Sequence, residues 1–193
     1  MKRTTAMLVA AAFVAATTSV TPAQSVPDPN VDVQMATFAG GACGAWVDQL
    51  VTPVVAAEGV QAGEVVAGPT RLCLRSRNGA ATLDARAFDV VDTETGCSIG
   101  EALLDPTCGS GAGELARDVR VRVGFGRCDR PASNVAGRTL HRLQREAIAL
   151  GRIEAGRVRC VELTVAYEPQ TSSAARSNTD RVQWRFGFTA TAA

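Results

Sequence analysis

The stretch Val119-Arg120-Val121-Arg122-Val123-Gly124-Phe125 decides the fold class, because its apolar and charged residues alternate. A period of two is typical of an antiparallel strand with one face in a core and the other in solvent. The same alternation recurs at 161–167 and 181–188. Weaker strand patterns cover 31–38, 46–56, 63–67, 71–77 and 81–91. The sequence therefore predicts an all-β protein with two facing antiparallel layers, a β-sandwich.

The strand predicted at 81–91 contains an irregularity. Its apolar positions change from odd numbers to even numbers after Ala87, which indicates a β-bulge near that residue. Helical signals are few. Ser98 and Glu101 have the spacing of a capping box, which predicts a short helix there, and 139–147 predicts a second. Clusters of Gly, Pro and Ser at 105–113, 129–137 and 169–178 predict turns.

The first 23 residues have the pattern of a secretory signal peptide. Lys2 and Arg3 precede an apolar run at 6–16, and a small-residue stretch ends at Ala23. We therefore expect residues 1–23 to be removed and 24–193 to form one domain. No other segment is long and apolar enough to span a membrane. The sequence predicts a secreted protein, extracellular or at the cell surface.

Six cysteines follow the predicted signal peptide, an even number that indicates disulfides in an oxidising compartment. They are Cys43, Cys73, Cys97, Cys108, Cys128 and Cys160. Zinc is disfavoured because the cysteines form no close pairs and His141 is the sole histidine. Six cysteines allow about 15 pairings. Cys97 with Cys108 is the pairing we expect, since it closes a short loop and contributes about 3 kcal/mol.

Charge is distributed unevenly along the chain. Residues 24–70 contain five acids and no base, whereas 71–193 contain 18 arginines and 14 acids. The acidic segment either packs on its own basic body or steers head-to-tail association of identical subunits. The arginines are spread singly and interleaved with acids, so nucleic acid is not the expected partner.

Several motifs in the second half of the chain resemble a known family. They are 92–97 (Asp-Thr-Glu-Thr-Gly-Cys), 107–109 (Thr-Cys-Gly), 113–115 (Gly-Glu-Leu), 150–157 before a strand at 158–167, and the closing strand at 181–189. Together they cover roughly residues 70–190 and resemble the TasA/camelysin family of exported bacterial proteins. The resemblance implies a jelly-roll-like antiparallel β-sandwich with one or two short helices in its connections. It also implies a structural role in the cell surface or biofilm matrix, with fibres formed by β-strand addition.

The camelysin name carries a protease label, which the residues do not support. A zinc protease of the common kind needs two histidines and a glutamate, and this chain has one histidine. A serine or cysteine mechanism would need His141 as its base. That residue lies among Arg138, Arg142 and Arg145, whose charges lower its pKa. We expect a surface histidine and no enzymatic activity, with no catalytic residue and no cofactor.

Calcium is the one metal that the acids could bind. Asp89, Asp92, Glu94 and Asp105 surround the cysteine loop, and calcium favours carboxylates on irregular backbone. The spacing does not match an EF-hand, and loop acids are commonly just solvated. The expectation is therefore no metal, with calcium as the alternative.

The segment Val31–Phe38 is predicted to be a strand, and its position suggests two specific roles. Val31, Val33 and Met35 alternate with polar residues behind a proline-containing leader. This pattern predicts an edge strand of its own domain or, within 24–40, a strand donated to a neighbouring subunit.

Two functions remain open. The favoured one is a structural protein that associates with itself or with envelope and matrix components. The alternative is a secreted binding module that recognises a polysaccharide or protein partner through loops at the sandwich end. A tryptophan pair could stack on a sugar, but Trp184 is in phase with apolar neighbours and is expected in the core, which leaves Trp46.

Overall fold

A computed structural model describes residues 31–60, 63–97, 99–103, 109, 112–130, 132, 134–169 and 180–193. The predicted signal peptide lies outside the described residues, as do Ser98, Asp105 and Cys108. None of the described helices has the length and hydropathy that a membrane span requires.

One sheet has six strands in the order β2-β1-β4-β9-β6-β7, all antiparallel. Its strands are β1 (Val33–Ala39), β2 (Ala42–Cys43), β4 (Val65–Ser76), β6 (Val119–Gly126), β7 (Asn134–Thr139) and β9 (Val158–Tyr167).

The second sheet has four antiparallel strands in the order β3-β10-β5-β8. They are β3 (Val55–Glu58), β5 (Ala81–Glu94), β8 (Ile148–Ile153) and β10 (Asp180–Ala192). Three short helices lie in connections: α1 (Ile99–Ala102), α2 (Leu115–Asp118) and α3 (Leu140–Arg145).

The apolar core lies between the two sheets. Val121, Leu163 and Leu74 come from the larger sheet and Leu83 and Trp184 from the smaller, and all are at most 3% exposed. From β3 to β6, and again from β7 to β10, successive strands change sheet, so the core is built from residues far apart in sequence. The prediction of an antiparallel β-sandwich with short helices and disulfides is confirmed, including the buried position of Trp184.

The three strongest strand predictions correspond to β6, β9 and β10, and the two helix predictions to α1 and α3. Leu140 and Leu143 of α3 are fully buried, and the Thr139 side chain caps this helix by accepting from the Arg142 N–H at 3.4 Å. The helix α2 was not expected from the sequence.

The predicted bulge is real but lies two residues later than expected. Pairing of β5 with β10 changes register between Gln183 and Arg185, and Asp89 has a positive φ of 50°. Before the bulge odd residues of β5 face the core, and after it the even residues turn inward. The bulge therefore sends Asp92 and Glu94 toward the protein interior.

Several parts of the chain differ from the sequence prediction, and the separate strands predicted at 63–67 and 71–77 are one strand, β4. Residues 46–56 are not one strand: isolated bridges form at Val47 and Val51, and β3 begins only after Pro53, which has no N–H to donate. Part of the predicted turn at 129–137 belongs to β7, and β8 was not predicted. Both are edge strands without strict alternation, so their sequences lack the signal of a half-buried strand.

The acidic first segment pairs with the basic body of its own chain. Asp32 lies 3.2 Å from Arg77, and Glu58 lies 3.7 Å from Arg181. Of the two interpretations of the charge asymmetry, these ion pairs support packing within one subunit.

Candidate functional site: an arginine basin over paired disulfides

The outer face of the six-stranded sheet carries a second, smaller apolar cluster. Ala36, Cys73 and Cys160 are each at most 5% exposed although they point away from the main core. They are covered by Phe38, Cys43, Trp46 and Cys128, which are partly buried. The chain that folds back over β1 and the turn after β6 thus cover this face.

Two disulfides fasten that cover to the sheet. Cys43 is bonded to Cys73 of β4, and Cys128 is bonded to Cys160 of β9. Cys73 and Cys160 are direct register partners, and their sulfurs lie 4.0 Å apart. This contact is van der Waals, since neither sulfur carries a proton. Strand register, which sequence spacing does not reveal, therefore places the two bonds side by side.

These sulfurs also form the one metal-like cluster among the described residues. The sulfurs of Cys43, Cys73 and Cys128 lie within 4.8 Å of one another. All three are engaged in disulfides, so none is a thiolate that could bind a metal. Cys97 is also disulfide-bonded, and the expected partner, Cys108, lies outside the described residues.

A polar network supports the cover from one side. The Arg75 guanidinium stacks over the Trp46 ring at 4.2 Å and donates to Gln34 Oε1 at 2.8 Å. Gln34 in turn donates to Asp48 Oδ1 at 2.6 Å. Trp46 is thereby held as part of the cover, which leaves its ring unsuited to the sugar stacking considered from the sequence.

A broad concavity of about 820 Å³ lies over the disulfides. Its lining includes Arg127, Arg157 and Arg159, together with Cys43 and Cys128, and we call it the arginine basin. Arg127 donates to both carboxylate oxygens of Asp129, at 2.9 and 2.8 Å. This exposed pair raises the pKa of Arg127 and lowers that of Asp129, in each case through the hydrogen bond first.

The arginine basin was not predicted. Its arginines come from a turn and a strand about 30 positions apart and form no run in the sequence. The signal that could have located it is adjacency, because Arg127 precedes Cys128 and Arg159 precedes Cys160.

A second polar site lies at the start of α2, where two carboxylates receive backbone N–H groups. Asp92 Oδ2 accepts from Ala116 N–H at 2.7 Å. Asp180 Oδ2 accepts from Leu115 N–H at 3.1 Å and from Glu114 N–H. A Cβ atom at Gly113 would lie 2.6 Å from Asp92 Oδ1 and 3.0 Å from Asp180 Oδ2, so the close approach needs glycine there.

Burial dominates the electrostatics of this acid pair. Asp180 is fully buried, and desolvation raises its pKa to about 7, with the charges of Glu94 and Asp92 acting in the same direction. Burial also raises the pKa of Asp92, against the lowering effect of its hydrogen bonds. One oxygen of each carboxylate, Oδ1, is buried without a hydrogen bond among the described residues.

The acids considered for calcium are separated in the structure. Asp92 and Glu94 face inward with Asp180, whereas exposed Asp89 lies at the bulge, 3.8 Å from Arg185. Asp105 is outside the described residues. In the described part of the chain no group of acids brings its oxygens as close together as the cysteine cluster brings its sulfurs. Asp92 and Asp180 instead accept hydrogen bonds from backbone N–H groups.

His141 lies on α3 and is partly buried. Burial, followed by the charges of Arg145 and Arg117, lowers its pKa, which is the direction expected from the sequence. It makes no hydrogen bond to a described side chain.

The proposed donor segment is β1. Val33 and Met35 are buried in the core and Val31 packs against it, while β1 pairs with β4 from Val33↔Ser76 to Thr37↔Leu72. Gly40 and Gly41 follow with φ of 59° and 85°, a turn that only glycine adopts without strain.

Compared with known proteins, the chain matches no family model, no curated protein and no solved structure.

Proposed function

We propose that this protein is an exported structural component of the cell surface or extracellular matrix, without catalytic activity, that assembles by exchanging β1 between copies. The TasA/camelysin resemblance of the sequence motivates the proposal. The observation that carries it is the construction of β1 as a strand with a hinge and an anchor.

The hinge is the Gly40–Gly41 turn. Both glycines have positive φ, and a Cβ at either would meet no other atom within 4 Å, so the turn is open on the side where a Cβ would lie. Rotation there would swing β1 away, and it would break the bonds of Gln34 to Arg75 and Asp48 and the backbone bridge between Met35 and Val47.

The anchor is the Cys43–Cys73 disulfide, two residues after the hinge. It keeps the chain after Gly41 bonded to β4 when β1 leaves. The departing strand would uncover the edge of β4 and the core positions of Val33 and Met35. A second copy carries the one segment that fits this gap, which is its own β1.

Deletion of residues 24–38 tests the exchange. Full-length mature protein at high concentration should form filaments or large oligomers by electron microscopy and size exclusion. The truncated protein should not, and it should bind an added peptide of residues 31–39. The matched control is the same peptide with Val33→Asp and Met35→Asp, which cannot fill the core positions. If the truncated protein forms the same large species as full length, strand exchange is wrong.

A second candidate function is a secreted binding module, and the arginine basin favours it. The basin is open, positively charged and rigidly supported by two disulfides, which suits recognition of an anionic partner. A strictly monomeric protein that binds a specific glycan would support this function over assembly.

A further inference from the structure

We propose that the arginine basin binds a polysaccharide bearing carboxylate groups, and that the Cys128–Cys160 disulfide holds its arginines in the binding arrangement. The inference rests on the second candidate function above and names its ligand class.

Strand pairing and the disulfide together bring the arginines to one surface. Gly126 of β6 pairs with Cys160 of β9, which brings Arg127 and Arg159 to the same end of the sheet, and the bond between Cys128 and Cys160 fastens this arrangement. Arg157 lies directly before β9 and also lines the basin. Binding groups fixed before the ligand arrives lose little conformational freedom on binding.

The charges of two of these arginines are not neutralised. Arg157 and Arg159 have no carboxylate within 4.0 Å in the described part of the chain, unlike Arg152, which lies 2.8 Å from Glu154 on the neighbouring segment. Arg127 is oriented by its two bonds to Asp129. An anion entering the basin thus meets two unpaired guanidinium groups and a third that is already positioned.

The volume and the lining residues of the basin favour an acidic sugar chain. A volume of about 820 Å³ exceeds the needs of one small anion and lies within the range of ligand pockets. Phe38 and Val158 add apolar surface to the lining, against which a sugar ring face can lie. The guanidinium group of an arginine can bind a carboxylate through two parallel hydrogen bonds.

Nucleic acid fits the basin less well. Single strands are bound on successive stacked aromatic rings. Among the described residues, Phe38 is the one aromatic residue that lines the basin, and it has the Arg71 guanidinium 5.9 Å from its ring centre. The carboxylated polysaccharide is therefore the better match.

Calorimetry with the full mature chain and a homogeneous oligogalacturonate tests the proposal. The uncharged control ligand is the methyl-esterified form of the same oligomer, which keeps the sugar and removes the charge. We expect saturable 1:1 binding of the acid form and none of the ester. Arg157→Gln and Arg159→Gln should each weaken binding about tenfold, the equivalent of one charged hydrogen-bonded contact.

Arg142→Gln is the matched protein control. Arg142 is an exposed arginine on α3, also without a carboxylate within 4.0 Å among the described residues, and it lies outside the basin. Its replacement changes net charge equally and should alter affinity by less than about twofold. Equal weakening by Arg142→Gln would show unspecific charge attraction and overturn the proposal. Absence of oligogalacturonate binding, or tighter binding of single-stranded DNA or of a sulfated oligosaccharide, would overturn it as well.

The role of the disulfide has its own readout. The double variant Cys128→Ser, Cys160→Ser retains all three arginines, so any loss of affinity measures their positioning. We expect at least about tenfold weaker binding by protein whose circular dichroism remains native. Unchanged affinity would refute the positioning role, and if the variant does not fold, Arg157→Gln and Arg159→Gln still decide the site. Because the filament assay depends on β1, failure of ligand binding and failure of assembly are distinguishable.

Discussion

Replacing Asp180 with asparagine should change how stability depends on pH. Asp180 is fully buried at the start of β10, and its pKa is raised to about 7 from an ordinary value of 3.8. The folded protein therefore holds a proton there that the unfolded chain releases between these two values. This difference in proton binding contributes its full stabilisation of the folded protein below about pH 4. The stabilisation is lost as pH rises through about 7.

The magnitude follows from the shift. Each pKa unit corresponds to about 1.4 kcal/mol, so a shift of about three units corresponds to about 4 kcal/mol between pH 4 and pH 8. The neighbouring charges of Asp92 and Glu94 share in this effect, which makes 4 kcal/mol the upper end. Asparagine does not titrate, and its amide oxygen can still accept from the N–H groups of Glu114 and Leu115.

We therefore expect the stability advantage of Asp180→Asn over the parent to grow from pH 5 to pH 8 by about 2 kcal/mol, since about two of the three pKa units lie in that interval. Urea unfolding at both pH values, followed through the fluorescence of buried Trp184, measures the difference. Asp89→Asn is the control, because Asp89 is exposed on the paired strand and asparagine tolerates its positive φ. If Asp180→Asn and the parent lose the same stability between pH 5 and pH 8, the raised pKa is not what links this fold to pH.

Two further predictions concern packing and cross-links. Gly187→Ala should destabilise the protein by about 1–3 kcal/mol in thermal unfolding, because a Cβ there would overlap the Phe88 ring. Gly137→Ala on an edge strand should be nearly neutral, since the nearest atom to its Cβ is the flexible Arg120 side chain at 3.3 Å and the others lie at ordinary contact distances. Similar losses for both variants would contradict the overlap. Replacing Cys128 and Cys160 together by serine should lower the free energy of unfolding in urea by about 4 kcal/mol, because the bond closes a separation of 32 residues. A loss below about 1 kcal/mol would mean that the disulfide contributes little to stability.

Strand patterns in the sequence predicted the centre of the fold and failed at its margins. The strands β6, β9 and β10 each bury one face. Apolar and polar residues must therefore alternate along them, and the alternation can be recognised in the sequence. The edge strands β7 and β8 pair on one side only and bury few side chains, which relaxes the pattern. The bulge was detectable because the apolar positions of β5 change from odd to even numbers. This change shows the region in which the register shifts, but it does not identify Asp89, the residue with the positive φ.

The two sites were harder to predict because each depends on pairing between distant segments. Asp92 was recognised as an acid near a loop, yet its partner Asp180 lies 88 positions later and reaches it through the β5–β10 pairing. The cysteine pairs likewise follow from the register that sets Cys73 beside Cys160. Sequence periodicity reports which face a residue occupies, whereas contacts across strands require the topology.

Phe38 connects the two proposed activities. It belongs to β1 and lines the arginine basin, whereas the three arginines belong to the segments that the disulfides retain on the body. In an assembly formed by strand exchange, each basin would receive its Phe38 from a neighbouring copy. Ligand binding and assembly would then be linked, because a basin that has lost its own β1 lacks part of its apolar wall until a neighbour supplies it. Protein lacking residues 24–38 should accordingly bind oligogalacturonate more weakly, and the peptide of residues 31–39 should restore the affinity. Full affinity without the peptide would separate the two activities.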